Sequence, residues 1–558
     1  MPLYPVASRA AVGFAEVPAG VVVAVRLADL VSPLRNGRPA GDSGRSALVI
    51  GETVKIRTGD VTVFLHVAAV APAVVRRDGR VQAQGSPAAH ATLGPLEDWL
   101  EDKAGPGVID QVADRAVLRE QYVKGERERL LTRSFMIRVI VLMTLMPEAD
   151  VREAVIALAG DLALVPWARP WAAASARAIG DWRNALGPEP LEELQAIVLR
   201  ASHAEHEGRD WRAVIAGRGR PLKVSSLDGT LIRVPDTPAN RAAFGSVGTG
   251  DGSSPFPQLR ALPLNDVSTR GLLGMPHGPS GGDKAAGEQR LLDSAMEQYP
   301  HLFARDRLWL MDRNFPGAAR IARLAARTHV LIRLKSDVPL KMTSPVLADG
   351  SYLADLSGDG VTVAVRVIEY DVTVEGQEVP EMFCLVTDLT DIAEYPGPEL
   401  AALYRWRWDG SETALREAKA SLNGAGPGTG PMLRSGSPHL VRQELAAWAA
   451  GTEMTRGVAR DAALAASPAR KGRRAGQPVR PRDISHARTR RAVLAAIRSG
   501  RAGYEALTRA IGKYRVVVDR SRHRARKSKS PSSFGHATAK NTATRIAPAT
   551  VTMANKPA

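Results

Sequence analysis

At 558 residues the chain exceeds what a single hydrophobic core organises, about 250–300 residues, so several domains are expected. Its one cysteine, Cys384, excludes an internal disulfide and a thiolate metal cluster and fits a reducing cytoplasm. The longest apolar stretch, Phe135 to Met146, is interrupted by Arg138 and falls short of the roughly 20 residues that cross a bilayer. The N-terminus lacks the basic-then-apolar pattern of a signal peptide. The net charge is +17, and its placement is informative: Arg470 to Lys529 hold 20 Lys/Arg against three acids (Asp483, Glu505, Asp519), so this segment alone accounts for the excess. Such a run is either a phosphate-backbone binder or a solubilising tail.

In chain order, residues 1–93 are rich in Val, Gly and Pro, with β-branched runs at Val21–Val25 and Val61–Val67 that suggest a few strands. Residues 94–215 read as helical: Asp110–Leu118, Glu126–Met146 stopped by Pro147, Val151–Leu158 and Glu192–Ala204, with Trp167, Trp171 and Trp182 packing between helices. Lys223–Val234 reads as a strand closed by Pro235-Asp236-Thr237-Pro238, followed by a Gly/Ser-rich loop. Gln258–Val267 and Gly271–Met275 then form a hairpin, a helix runs to about Tyr299, and Arg307–Met311 is a buried-type strand. A helix over Pro316–Thr328 and a strand over Val330–Leu334 complete a mixed α/β pattern across residues 216–340. Residues 341–395 change to alternating strands, a β insertion, and residues 396–465 return to helix. The basic segment, 466–529, has amphipathic stretches at Arg488–Arg498 and Glu505–Ile511, and 530–558 read as a disordered tail.

Three acids stand out: Asp228 at the end of the first strand, Asp312 at the end of Arg307–Met311, and Glu412 on a helix. Taken singly each has a plain reading: Asp-Gly as a turn, Asp312 as a helix cap, Glu412 as a solvated face. Together, two strand-borne aspartates and a later helix-borne glutamate can converge. Three clustered carboxylates stay ionised together only if cations neutralise them, and hard oxygen donors suit two Mg²⁺ or Mn²⁺ ions. Two such ions can break phosphodiester bonds.

The wording around these acids is specific. It comprises Leu227-Asp228-Gly229-Thr230, Pro235-Asp236-Thr237-Pro238-Ala239-Asn240, Gly287-Glu288-Gln289, Met311-Asp312-Arg313-Asn314-Phe315, Arg333-Leu334-Lys335-Ser336 and Tyr404-Arg405-Trp406-Arg407. With Glu412 and Lys419, the chain resembles a DDE transposase of the insertion-sequence-four family, whose hallmark is a tyrosine–arginine–glutamate–lysine helix; the likeness covers roughly residues 93–460. One departure stands against the pattern. Four residues, Trp408-Asp409-Gly410-Ser411, separate Arg407 from Glu412 where the family has three, so a kink, bulge or helix start near Gly410 is expected. Glu417 and Asp409 are rival ligands; Glu412 is preferred because Lys419 follows it two turns on, on the same face.

The resemblance implies an RNase H-like mixed-sheet catalytic core interrupted by the β insertion. It also implies a helical end-binding domain before that core, a basic helical segment after it, and cut-and-paste movement of an insertion sequence. Asp228, Asp312 and Glu412 would hold two metal ions, while Tyr404, Arg407 and Lys419, with Arg313 and Lys335, would contact DNA. Arg488, Arg490, Arg491 and Arg498 are further phosphate-contact candidates. Tyr352, Tyr370 and Phe383 are the aromatic candidates for stacking on a flipped base, since the insertion has no tryptophan. The implied partners are duplex DNA with terminal inverted repeats, target DNA and a second copy of the chain, with no membrane, in a bacterial cytoplasm at the nucleoid. A silent DNA-binding descendant and an RNase H-like nuclease remain the alternatives.

Overall fold

The computed structural model describes residues 91–119, 132–159, 174–207, 221–246, 254–280, 284–335, 338–373, 381–422, 431–468, 476–499 and 503–516. It also describes the short strand segments 53–58, 61–66, 73–75, 81–83 and 550–553. Near the N-terminus, β1 (Thr53–Thr58) pairs antiparallel with β2 (Val61–His66), and β3 (Ala73–Val75) with β4 (Val81–Ala83). The run Val21–Val25 lies outside the described residues, as do Trp167 and Trp171.

Among the described residues six helices follow: α1 (Pro95–Ala104), α2 (Val108–Arg115), α3 (Arg133–Leu145), α4 (Val151–Ala159), α5 (Ala176–Leu186) and α6 (Glu189–Glu207). The third, Phe135 to Leu145, is buried all round, which is why its apolar residues show no face. Its Arg138 is held by charge-assisted bonds to both oxygens of Glu97 (2.7 and 2.9 Å) and to Asp110 (2.9 Å), so the interruption of the apolar run is a buried ion-pair node. Trp182 packs against the same core.

The sheet begins with β5 (Lys223–Leu227). The stretch read as one strand breaks at Asp228-Gly229, and β6 (Thr230–Arg233) belongs to a different sheet. After α7 (Pro238–Phe244), a second stretch read as one strand also divides, into β7 (Gln258–Ala261) and β8 (Leu264–Asp266), on either side of Leu262-Pro263. Proline lacks the N–H that an uninterrupted central ladder needs. The chain switches sheets at both breaks: β10 (His277–Pro279), β7 and β6 make a small antiparallel sheet, while β8 and β9 (Leu272–Gly274) join β5.

Helix α8 (Lys284–Gln298) leads to β11 (Arg307–Met311), which lies parallel to β5 with Leu310 opposite Ser226. Helix α9 (Ala318–Ala325) then leads to β12 (His329–Arg333), parallel to β11 on its other side. The β insertion is no separate unit. Its strands β13 (Leu340–Met342), β14 (Tyr352–Gly358), β15 (Val361–Thr373) and β16 (Glu381–Thr387) extend the same sheet, joined through β16 on β12. The full order is β13-β14-β15-β16-β12-β11-β5-β8-β9.

Helix α10 (Gly397–Tyr404) begins the return to the core. It continues through a π turn at Trp408–Thr413 into α11 (Ala414–Lys419). The long α12 (Pro438–Ala465) is buried over most of its length, and α13 (His486–Ser499) and α14 (Tyr504–Ile511) pack on it and on the helical core. The tail expected to be disordered contains one strand, β17 (Thr550–Met553), which pairs antiparallel with β15 and so uses that strand's unpaired edge groups. Among the described residues no helix is long and apolar enough to cross a membrane.

Buried His486, at the start of α13, has no hydrogen-bond partner for Nδ1 among the described residues. Burial, and then the charges of Arg456, Arg490 and Arg270, push its pKa down to about 3. The unfolded chain therefore takes up this proton near its ordinary value, about 6.5, while the folded chain refuses it until far lower. The stability it supplies is complete above that value and falls by up to about 1.4 kcal/mol per pH unit below it. His486→Asn should flatten the decline of Tm between pH 6.5 and 5 relative to the parent, as read by scanning calorimetry.

Candidate active site

Asp228 and Asp312 each follow by two residues the register pair Ser226/Leu310, so they leave the same end of adjacent parallel strands. Asp312 is fixed by its own loop: the Asn314 N–H donates to Oδ1 at 2.8 Å and the Asn314 side-chain amide to Oδ2 at 3.3 Å. Asp228 is followed by Gly229 because space runs out; a Cβ there would overlap the Glu288 carboxylate. The Asp-Gly pair read as a turn is thus also a close-packing requirement.

Glu412 arrives on the π turn. Hydrogen bonds reaching one residue further than in an α-helix absorb a single inserted residue without breaking the helix, and the turn coincides with the extra residue between Arg407 and Glu412. Gly410 lies against the sheet, where a Cβ would stand 2.7 Å from Ser226 Oγ and 2.8 Å from Val267 Cγ2. The wide turn therefore seats directly on β5 and β8.

Two of the acids meet at a guanidinium, and the third lies within its field. Arg407 Nη2 is 3.3 Å from Glu412 Oε1 and Nη1 is 3.9 Å from Asp228 Oδ2. Burial works against its charge, but Tyr404, Asp228, Glu412 and Asp312 outweigh it and raise its pKa. Lys419 lies close enough to feel Asp228, yet burial prevails and lowers its pKa. The rival Glu417 points elsewhere, paired at 2.9 Å with Arg270, which takes a left-handed φ of 60° in the β8–β9 turn. The side chain of Asp409, the other rival, lies outside the described residues.

Several expected DNA contacts are placed differently. Tyr404 is buried and donates to the Met311 carbonyl at 2.9 Å, and burial lifts its pKa to about 12. Here it ties the glutamate helix to the strand that carries Asp312, with its hydroxyl committed to that carbonyl rather than open to a DNA strand. Trp406 is partly buried under the Arg482 guanidinium, 3.7 Å from its ring centre. Trp408 is 44% exposed, with the Arg407 guanidinium 5.8 Å from its ring centre. Arg313 and Lys335 are exposed, as are Arg488, Arg491 and Arg498, whereas Arg490 is half-buried. Of the stacking candidates, Tyr370 is buried against Phe383, Phe383 is covered by Arg333 at 3.7 Å, and the Tyr352 hydroxyl donates to Glu369.

The donor set near Arg407 is all carboxylate oxygen, the chemistry that suits hard divalent ions. The acids already gather around a positive charge, so residue type and electrostatic setting both fit. Among the described residues no three His, Cys, Asp or Glu side chains yet stand close enough to share one ion. Arg407 occupies the middle.

Comparison with known proteins bears on the chain as a whole. The family described as Insertion element 4 transposase N-terminal matches residues 100–196, within the helical region. Transposase InsG for insertion sequence element IS4 of Escherichia coli (strain K12) is 27% identical over 332 residues, 57% of this chain and 68% of that protein. Both likenesses point to transposases of the insertion-sequence-four family. A cryo-EM structure of the piggyBac transposase synaptic complex with hairpin DNA overlaps 74% of this chain and 81% of that chain. At 12% identity and a TM-score of 0.35 the overlap is too loose to inform the reading of this fold.

The structure adds residues to which the sequence assigned no role. Glu288, Gln289 and Asn314 pack beneath the two aspartates, and Arg260 Nη1 stands 3.6 Å from Glu288. Their only signal in the sequence was membership of the Gly287-Glu288-Gln289 and Asp312–Phe315 clauses.

Gly410→Ala should cost about 1–3 kcal/mol of stability, because its methyl must displace Val267 or Ser226 in a packed sheet. Denaturant unfolding of the parent and the variant measures this.

Proposed function

We propose that this chain is a transposase that moves an insertion sequence by cutting phosphodiester bonds at inverted-repeat ends and joining the freed ends to target DNA, with Asp228, Asp312 and Glu412 as the catalytic acids. The observation that carries this reading is that Asp228, at one of two neighbouring strand ends, and Glu412, on a helix, share one buried cation whose charge also feels Asp312 at the other strand end. The sheet order supports it. Strands β9-β8-β5-β11-β12 run as third, second, first, fourth and fifth, so the first and fourth strands, which lead to the two aspartates, lie side by side as the resemblance to an RNase H-like core implies.

In this reading Asp228, Asp312 and Glu412 would hold two Mg²⁺ or Mn²⁺ ions. Such ions, when bound, make water or a DNA 3′-hydroxyl a nucleophile at neutral pH and steady the leaving oxygen. The chain's own residues do the rest. With the acids compensated otherwise, Arg407 is released to make bidentate bonds to a phosphate beside the cut. Lys419, already within the field of Asp228, neutralises a second phosphate oxygen. Tyr404 keeps the glutamate helix in register with Asp312. Arg313 and Lys335 stand exposed on the strand ends where the DNA backbone would pass. Arg488, Arg491 and Arg498, exposed on α13, contact phosphates further along the end. Two copies of the chain would hold the two ends together.

Purified protein with Mg²⁺ and a DNA fragment carrying the element's ends tests this directly. Asp228→Ala, Asp312→Ala and Glu412→Ala should each abolish nicking while still shifting the end fragment in a gel, and Glu417→Ala should still nick. Nicking by Glu412→Ala at the parental rate would remove Glu412 from the role. A parent that binds ends but nicks none with Mg²⁺ or Mn²⁺ would favour a silent DNA binder.

The α13 contacts have their own signature. Arg491→Ala and Arg498→Ala should each weaken end binding and reduce the slope of log affinity against log salt by about 1. Arg490→Ala, from a half-buried position, should leave that slope closer to the parent's. Fluorescence anisotropy across a salt series distinguishes them.

A further inference from the structure

A buried carboxylate outside the three acids lies directly under both strand-borne members. Glu288, near the start of α8, is 1% exposed. Its side chain occupies the space that any Cβ at position 229 would need, so the backbone that bears Asp228 rests on it. On its other side, Oε2 accepts from the Asn314 side-chain amide at 3.4 Å. That amide has two protons to give, and the Asp312 Oδ2 also lies within its reach at 3.3 Å. Asn314 thus bridges Glu288 to Asp312.

The neighbouring residue on the helix closes the arrangement. Gln289 Nε2 donates to the Asn314 carbonyl at 2.9 Å, while its Oε1 accepts from Arg320 at 3.0 Å. The loop after β11 is therefore held by consecutive residues of α8, one on its side-chain amide and one on its main chain. Arg260, also 1% exposed, stands 3.6 Å from Glu288 Oε1 and donates to the Ser280 carbonyl. The charge of Glu288 is balanced from below by Arg260, so its part is to brace the acids rather than to join them.

We infer that Glu288 is a positioning residue: through Asn314 and through its contact with Gly229 it fixes the separation and orientation of Asp228 and Asp312. This rests on the catalytic reading of those two aspartates. Two carboxylates on different strands approach each other against their mutual repulsion, and a shared brace sets the geometry in which they can accept a divalent ion. Removing such a brace costs metal affinity first, typically about 10- to 100-fold. It leaves the DNA-binding surfaces untouched.

The test uses the full-length protein and measures Mn²⁺ binding directly, from the EPR signal of the free ion, alongside the Mg²⁺ dependence of end nicking. Glu288→Gln and Asn314→Ala should each weaken Mn²⁺ binding about 10-fold or more. The Mg²⁺ concentration for half-maximal nicking should rise by a similar factor, with end-DNA affinity at the parental value. Asn314 is partly exposed, so its truncation reports even if the change at buried Glu288 prevents folding. Parental Mn²⁺ binding by Asn314→Ala, or a fall in Tm with no shift in Mn²⁺ affinity, overturns the inference. Asp228→Asn separates the two levels. If it loses Mn²⁺ binding and nicking while Asn314→Ala does not, the brace fails and the acid site stands. If it retains both, the catalytic reading itself fails.

Discussion

Asp228 and Asp312 leave neighbouring parallel strands at the same level, so the fold forces two negative charges together before any ligand is considered. Like charges at such range raise each other's cost of ionisation unless a cation intervenes. In this structure the cation is Arg407, whose guanidinium lies between Asp228 and Glu412 and feels all three acids. The surrounding design follows from that repulsion. The Asn314 loop caps Asp312, the Tyr404 hydroxyl ties the arginine's helix to the strand of Asp312, and Lys419 adds a second positive group near Asp228.

The extra residue before Glu412 turns from an anomaly into a structural device. An α-helix advances about 100° per residue, so a plain insertion would carry Glu412 off the face shared with Arg407. A π turn keeps the helix continuous and absorbs the surplus in one wide ring. Gly410 and the turn's seating on Ser226 and Val267 fix where the surplus goes. Trp408, the first residue of the turn, is exposed.

Much of this was legible in the residues, because the acids sit in short, distinctive clauses and the strands carrying them are apolar runs with clear ends. The need for an irregularity near Gly410 followed from the departure of its spacing from the family pattern. What was not legible depends on contacts distant in sequence. Lys223–Val234 and Gln258–Val267 read as single strands because their side-chain pattern continues through Asp228-Gly229 and Leu262-Pro263, whereas the chain crosses between sheets at those points. The alternating strands after Lys341 suggested a separate insertion, since periodicity says nothing about which edge a strand joins; β16 pairs with β12 and continues the main sheet. Tyr404 looked like a DNA contact because its hydroxyl's destination, the Met311 carbonyl, lies 93 residues away. Glu288 carried no periodic or charge signal that would set it apart from an ordinary helical acid.

The glutamate helix is short and begins on an irregular turn, so its own hydrogen bonds cannot hold Glu412 in place. The buried helix α12 supplies the rigidity. Trp448 Nε1 donates to Ser421 Oγ at 2.9 Å, and Arg456 donates to the Ala414 carbonyl at 2.7 Å. One buried acid on the same helix, Glu453, accepts from Ser202 of α6 at 2.6 Å, from Arg460 at 2.7 Å and from the Leu272 N–H of the sheet's edge strand at 2.6 Å. Three parts of the molecule therefore meet on two turns of one helix: the N-terminal helices, the edge of the sheet and the segment bearing Glu412. Such a node is costly to break, since losing one partner strands buried charge. The N-terminal helices and the segment that bears Glu412 are thereby joined through direct hydrogen bonds to one buried helix.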